Sequence, residues 1–548
     1  MPNPIPLQQV WPPEFVKKYT AAGYWDGQTF GELLAERAQQ YAHRPAVIGS
    51  EHQWTYAELN QKASALAAGL QSIGLKKGAH VLVQLPNIPE FVSVVFALFR
   101  AGMIPIYALP AHRITELEHF ATHAPADAYI CADQFEGFNY VAQARELQQR
   151  CPQVQHIVVV GDAHEFHALS ALEQHDQAHT IPSTVSTADE VAFLQISGGS
   201  TGLSKLIPRT HNDYIYTLRE SCKICDVTAD SVFLAALPMA HNFPMSSPGF
   251  LGTLYAGGCV VLSTSAEPER CFALIAQHHV SFTSLVPPLL LMWLEFAPHS
   301  HHDITSLKTI QVGGAKLIPE VARRVRPVLG IQLQQVFGMA EGLVNYTRLD
   351  DSEDLVVGTQ GRPISPDDEL RIVDDHDQPV APGATGHLLT RGPYTIRAYH
   401  NNPTANARSF TQDGFYRTGD IVQRTADGYL VVQGRANDHI NRAGEKISAE
   451  EIEDHLLAHP AVFDAAVVSV PDDYLGERSC AFIIIKKAHA APRAIEFKRW
   501  IRQRGLADFK VPDQVVFVDS FDITAAGKVS RKQLRLQLSQ SLSASHDA

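Results

Sequence analysis

A chain of 548 residues cannot close around one hydrophobic core, so about two to four domains or subdomains are expected. Its composition, 45% hydrophobic and 19% charged, is that of a soluble globular protein, and a net charge of −13 excludes a general nucleic-acid binder, which needs a basic face. No apolar run reaches the roughly 18 residues of a membrane span, the N-terminus lacks a signal peptide's charged and apolar regions, and seven cysteines suit reduced thiols in the cytoplasm.

The first half of the chain alternates helix and strand patterns. Helices are predicted over 30–41, 56–73, 88–100, 114–123 and 140–149, and strands over 45–48, 80–85, 103–108, 128–131 and 156–160. Such alternation implies crossover connections and a mainly parallel sheet. The apolar run 191–196 reads as a buried strand entering a loop of small residues, Ser197, Gly198, Gly199, Ser200, Thr201 and Gly202, with Lys205 beyond. Glycine lets a backbone approach phosphate closely, hydroxyls and amides supply donors, and the lysine adds a mobile positive charge. A Gly/Ser-rich linker has the same composition. The loop is not a P-loop, because Lys205 stands three positions after Gly202 instead of next to it. Pro208 disfavours a helix directly after the loop, so a hairpin is predicted, with a helix opening near Asn212.

A second βα series runs from 231 to about 337. Short strands at 369–374, 386–391 and 428–433, separated by Asp, Pro and Gly turns, mark a β-rich subdomain. After Gly434 and Arg435 a separate unit begins, with helices at 447–457 and 494–503 and strands at 462–470 and 480–487. The polar stretch 537–548 is expected to be a disordered tail. The fold class is therefore α/β: a large N-terminal domain, 1–434, of two α/β subdomains plus a β-rich subdomain, and a small mobile α+β domain at 435–536. Cys222 and Cys225 have redox or zinc spacing, but no second pair exists and both fall late in a helix, so buried structural thiols are expected. His299, His301, His302 and Asp303 follow Pro298 and read as a solvated loop instead of a metal site.

Three further segments carry chemistry. Glu341 ends Phe337-Gly-Met-Ala-Glu341 after a strand end, where a hard oxygen ligand suits Mg²⁺ or a carboxylate is simply solvated. Asp420 ends Tyr416-Arg-Thr-Gly-Asp420, placed after a turn to accept both hydroxyls of a ribose or to cap that turn. Lys528 follows a glycine turn near the C-terminus, as a functional or a surface lysine.

In this order the four segments resemble those of the acyl-adenylate-forming superfamily. Trp54-Thr-Tyr-Ala-Glu-Leu59 and the stretch from Gly434 to Ile447 complete a match spanning about residues 30–532. Leu237-Pro-Met-Ala-His241-Asn-Phe-Pro-Met-Ser-Ser-Pro-Gly249 looks like the stand-alone aryl-acid ligases of catecholate siderophore assembly, the 2,3-dihydroxybenzoate–AMP ligases. The resemblance implies ATP and Mg²⁺ as cofactors and catalytic roles for Lys528, His241 and Lys205. It implies a nucleotide site of the loop 197–202 with Gly313, Gly314, Ala315, Val336, Phe337, Gly338, Met339, Ala340, Glu341, Asp420, Arg435 and Lys528. Magnesium would sit at Glu341 with Thr201. Asn242, Phe243, Ser247, Val344 and Gly314 would form the aryl pocket. Asn437, where relatives usually carry Asp or Lys, would be the hinge, and Gly444 would reach the thiol tunnel. Relatives that take salicylate carry Cys and a bulkier aliphatic at the positions of Ser247 and Val344, so this pair points to the catechol acid.

The same resemblance implies a two-step reaction, aryl-AMP formation and then transfer to a phosphopantetheine thiol. The chain ends 20 residues after Lys528, so the expected acceptor is a separate aryl carrier protein. Lys498, Arg499, Arg502 and Arg504 are a candidate docking face for it, or a solvated helix face. Two other readings stand beside this one: an aryl-CoA ligase for salicylate or another acid that uses free coenzyme A, and a non-catalytic ligand-binding relative.

Overall fold

The computed structural model describes residues 10–174, 182, 184–197, 204–435, 439–442, 445–472, 475–487, 492–504, 506, 510–523, 529–531 and 533–538. Among these, two large sheets form the body. The first runs Leu206–Thr210, Val191–Ile196, Ile104–Tyr107, His80–Gln84, Ala126–Ala132, His156–Val160, His167–Ala168, and only its first pair is antiparallel. The second has six central parallel strands, including Thr309–Gly313 and Gln332–Met339, with antiparallel additions at both edges. Strands such as Val232–Ala235 and Cys259–Leu262 read as continuous apolar runs because helices cover both faces. The predicted α/β class and mainly parallel pairing are borne out.

Packing between the sheets explains the core. The helix Pro89–Ala101 is buried on nearly every face, and it shares one apolar cluster with Val81 and Val83 of the first sheet and Phe233 and Val260 of the second. Helix starts are written into the sequence. Thr55 and Glu58, within the motif 54–59, form a capping box for Tyr56–Ser72, and Thr29 with Glu32 does the same for Phe30–Gln40. Each such cap stabilises its helix by about 1 kcal/mol. A four-stranded antiparallel sheet, Glu369–Val373, Gly386–Arg391, Tyr416–Arg424 and Leu430–Arg435, forms the β-rich part. The chain then enters a separate five-stranded sheet that begins at His439–Arg442.

Some expectations are corrected. The helix predicted at 447–457 starts at Ala449, because Glu445–Ser448 pairs as a strand with His439–Arg442 and Ser448 caps the helix instead. Leu538, expected in a disordered tail, is 3% exposed and packs with Leu534 against Val468 and Phe482. Asp420 lies inside the strand Tyr416–Arg424, not after a turn: Gly419, at φ +76°, absorbs the irregularity and lets pairing continue. In the candidate docking helix Ala494–Gln503, Lys498 is held by the Asp513 carbonyl; Arg504, just past its end, is held by His455 and Glu320. Lys498 is half-buried, while Arg499, Arg502 and Arg504 remain exposed. Cys222 is buried and donates to the Gly252 carbonyl while Cys225 is half-buried, and His302 is held by Glu269 Oε1 at 3.0 Å. No helix of the described residues is long and apolar enough to cross a membrane.

The hairpin strand Leu206–Thr210 runs directly into the helix His211–Ile224, and two buried groups secure that junction. Arg209 and Asp213 form an ion pair at 2.8 Å with side chains 2% and 1% exposed. His211 is equally buried, accepts from the Phe30 N–H at 3.3 Å, and burial depresses its pKa to about 3. Two outcomes are expected. Asp213→Ala leaves the Arg209 charge uncompensated and should cost about 3–5 kcal/mol in urea unfolding, part of which an Arg209→Met/Asp213→Leu pair recovers. Because His211 titrates lower folded than unfolded, stability is lost as pH falls below the unfolded pKa of about 6.5, by about 2 kcal/mol at pH 5. That portion of the pH slope should vanish in His211→Gln.

Candidate active site at the strand ends

The site is built where several strands end together. At the hairpin, the Ser197 N–H donates to the Lys205 carbonyl and the Lys205 N–H to Ser197 Oγ, both at 2.9 Å. This pins the base of the loop whose Gly198, Gly199, Ser200, Thr201 and Gly202 lie outside the described residues. The Lys205 ammonium lies 4.6 Å from the centre of the Tyr399 ring. The Tyr399 hydroxyl in turn donates to Glu341 Oε1 at 2.8 Å and sits 2.9 Å from the Tyr416 hydroxyl. Burial and then the Glu341 charge push the Tyr399 pKa far above the usual phenol range, so the hydroxyl remains a donor. Two residues far apart in sequence, Lys205 and Glu341, thus meet through a tyrosine that nothing in the sequence singled out.

Arg209 fixes the geometry beneath them. Besides Asp213 it donates to the Ala340 carbonyl at 2.8 Å and to the Tyr394 carbonyl at 3.2 Å. Glu341 itself sits at the tip of a hairpin, since Gln332–Met339 continues as a strand through Phe337 and Gly338 and pairs with Gly342–Tyr346. The strand end expected at Val336 is therefore three residues early.

Register places the remaining candidates side by side. Gly313 pairs with Val336, and Gly338 pairs with Val344 across the next strand. A Cβ on Gly313 would come within 2.7 Å of the Val336 carbonyl and 3.0 Å of Phe243 Cζ, so only glycine lets these surfaces close. Gly314, at φ +82°, turns the chain away, and Ala315 is exposed beyond it. Phe243, Val336 and Val344 belong to one buried apolar cluster with Leu237 and Tyr346. The short helix Asn242–Ser246 forms the adjacent wall: His241 caps it by accepting from the Phe243 N–H, and Ser247 closes it. Asn242, Phe243 and Ser247 are all buried, at 9%, 7% and 3% exposure. Asn87 holds the approach to this helix, donating to Ala235, Leu237 and Ser263 carbonyls and accepting from Met239.

Asp420 and Arg435 are direct cross-strand partners, which brings together the two residues expected at a ribose. Asp420 is 3% exposed. Met339 and Phe337 lie half-buried along the same ridge. Asn437, Gly444 and Lys528 fall outside the described residues. Arg209 and Asp213 were detectable as an opposite-charge i, i+4 pair at a helix start, but nothing local marked Tyr214 or Tyr399. Chemically, the arrangement offers a cation, two buried carboxylates and a buried apolar cluster flanked by polar side chains. Such a set accommodates a nucleotide beside a small planar ligand.

Residues 34–400 match the family described as AMP-binding enzyme, and residues 451–528 match the AMP-binding enzyme C-terminal domain. Over 532 residues the chain is 56% identical to the 2,3-dihydroxybenzoate-AMP ligase of Bacillus subtilis (strain 168), covering 97% of this chain and 98% of that protein. It is 48% identical over 531 residues to the vibriobactin-specific 2,3-dihydroxybenzoate-AMP ligase of Vibrio cholerae, covering 96% of each. Among solved structures, apo MbtA of Mycobacterium smegmatis aligns with a TM-score of 0.75 at 44% identity, over 96% of this chain and 98% of that one. With the segment order, the strand-end geometry and both matched regions in agreement, this chain belongs to the AMP-binding enzymes.

Proposed function

We propose that the protein activates 2,3-dihydroxybenzoate with ATP and passes the acyl group to the phosphopantetheine thiol of an aryl carrier protein. The observation that carries this reading is the placement of Asn242 and Ser247 at the two ends of one short buried helix, beside Phe243 and the Gly313–Val344 wall. A buried hydroxyl of the ligand without a partner would cost about 1–3 kcal/mol, and these two side chains supply the partners. The relatives named for this acid support the choice of ring.

In the first step a carboxylate oxygen of the acid bonds to the α-phosphorus of ATP, and pyrophosphate leaves with the electron pair. The carboxylate is already ionised at neutral pH, so no general base is needed, and positioning with charge neutralisation does the catalytic work. Lys205 and the loop 197–202 are assigned to the outer phosphates, Asp420 and Arg435 to the ribose, and Gly313, Gly314, Ala315 and Val336 to Ala340 to the nucleotide's flat face. His241 and Lys528 are assigned to the reacting carboxylate. The Glu341 carboxylate, with Oε1 steadied by Tyr399, fits as one hard oxygen ligand for Mg²⁺, joined by Thr201; the ion would offset phosphate charge. Asn437 would be the hinge and Gly444 would line the thiol path in the second step.

Pyrophosphate exchange across a panel of acids tests the reading. 2,3-Dihydroxybenzoate should give the highest kcat/KM, salicylate should fall about 10- to 100-fold because Ser247 loses its partner, and a fatty acid should give none. A panel without a preferred catechol acid would overturn it, and thioester yield with carrier protein against free coenzyme A decides the acceptor. Lys528→Ala is expected to lower exchange about 100-fold or more while sparing transfer from supplied aryl-AMP. Equal loss in both steps would remove Lys528 from its assigned role.

A further inference from the structure

The polar wall of the aryl slot is oriented from behind. Tyr214, fully buried on the helix His211–Ile224, donates its hydroxyl proton to Asn242 Oδ1 at 2.8 Å. Burial first, partly offset by the nearby Arg209 charge, keeps the phenol protonated at any physiological pH. Its flanking groups are themselves donors: Gln195 and Ser246 both face the Tyr214 oxygen, Gln195 Nε2 also reaching Met245 Sδ at 3.2 Å and Ser246 Oγ the Asn242 carbonyl at 3.3 Å. The Arg209 guanidinium, 4.7 Å over the Tyr214 ring, adds a positive field that favours donation by the phenol. Asn242 Oδ1 is therefore the acceptor for that proton. An amide presents its oxygen and its NH2 on opposite edges. Among the described residues no group accepts from Asn242 Nδ2, so the donor edge is the one left for a ligand.

We infer that Tyr214 is a positioning residue that turns the NH2 edge of Asn242 toward the aryl acid and so selects an ortho oxygen over an ortho amine. The inference rests on the proposed aryl-acid activation. In a 2-hydroxybenzoate the phenolic proton turns to the neighbouring carboxylate, which leaves an oxygen lone pair in the ring plane facing outward. That lone pair accepts from Nδ2. In a 2-aminobenzoate one N–H turns to the carboxylate and the other points outward, so two donors would face each other. If the amide were free to rotate, its oxygen would accept from that second N–H and the discrimination would disappear. Tyr214 opposes the rotation because its oxygen already faces the Gln195 and Ser246 donors, so a turned amide would set NH2 against the phenol proton.

The test compares pyrophosphate exchange with benzoate, 2-hydroxybenzoate and 2-aminobenzoate in the wild type, Tyr214→Phe and Asn242→Asp. Wild type should prefer the hydroxy acid over the amino acid. Tyr214→Phe should reduce that ratio about tenfold, through KM for the aryl acid and not KM for ATP. Asn242→Asp, which keeps Tyr214 on one oxygen and shows the other to the ring, should turn the preference toward the amino acid. A merely structural tyrosine would depress all three acids by one factor, and unchanged ratios in both variants would overturn the inference, as would a wild-type preference for the amino acid. No exchange with any aryl acid in the wild type would instead sink the proposed function itself, so the two failures are distinguishable.

Discussion

Arg209 is the hub on which the geometry of this site depends. One buried guanidinium pairs with Asp213 at the start of a helix, donates to the Ala340 carbonyl beside Glu341 and to the Tyr394 carbonyl, and lies over the ring of Tyr214. A charge this deep is tolerated only when its partner is close and its donors are used. Those conditions are met by bringing three separate chain segments to one point. The ion pair therefore acts less as a source of stability than as a constraint on where the hairpin, the helix and the Glu341 turn can lie.

From that constraint the two halves of the site inherit their relative position. On one side Lys205 and Glu341 converge on Tyr399, the place proposed for phosphate charge and a hard cation. On the other, Tyr394 donates to Asp368 and accepts from the Val344 N–H, which steadies the strand Gly342–Tyr346. Burial raises Asp368 to about 8, so a largely neutral acid sits behind the wall proposed for the aryl carboxylate. Gly313 matters because a Cβ there would push against the Val336 carbonyl and the Phe243 ring and separate the surfaces proposed for nucleotide and ring.

Much of the local structure was legible in the chain. Strict apolar runs such as Val191–Ile196 marked strands buried on both faces, and Thr–x–x–acid spacings marked helix starts at Thr55 and Thr210. Three misread places share one cause, which is pairing with a neighbouring strand across a short turn. Gln332–Met339 extends because Gly342–Tyr346 folds back on it; Asp420 sits in a strand because Leu430–Arg435 supplies the opposite edge; Glu445–Ser448 is a strand because His439–Arg442 lies alongside. Turn composition alone cannot report such partners, since Gly and Asp occur both in turns and at strand irregularities.

The amino-acid order by itself determined the class of architecture, the family of the enzyme and the residue types held ready for phosphate, sugar and ring. Those are properties of periodicity and of short segments whose spacing along the chain is chemically meaningful. Only the tertiary structure decided which side chains touch. That Tyr399 joins Lys205 to Glu341 and that Tyr214 donates to the amide of Asn242 depend on contacts between segments tens to hundreds of residues apart. The reason is physical: a hydrogen bond is set by distances of about 3 Å in space, and separation along the chain carries no information about that until the core has packed.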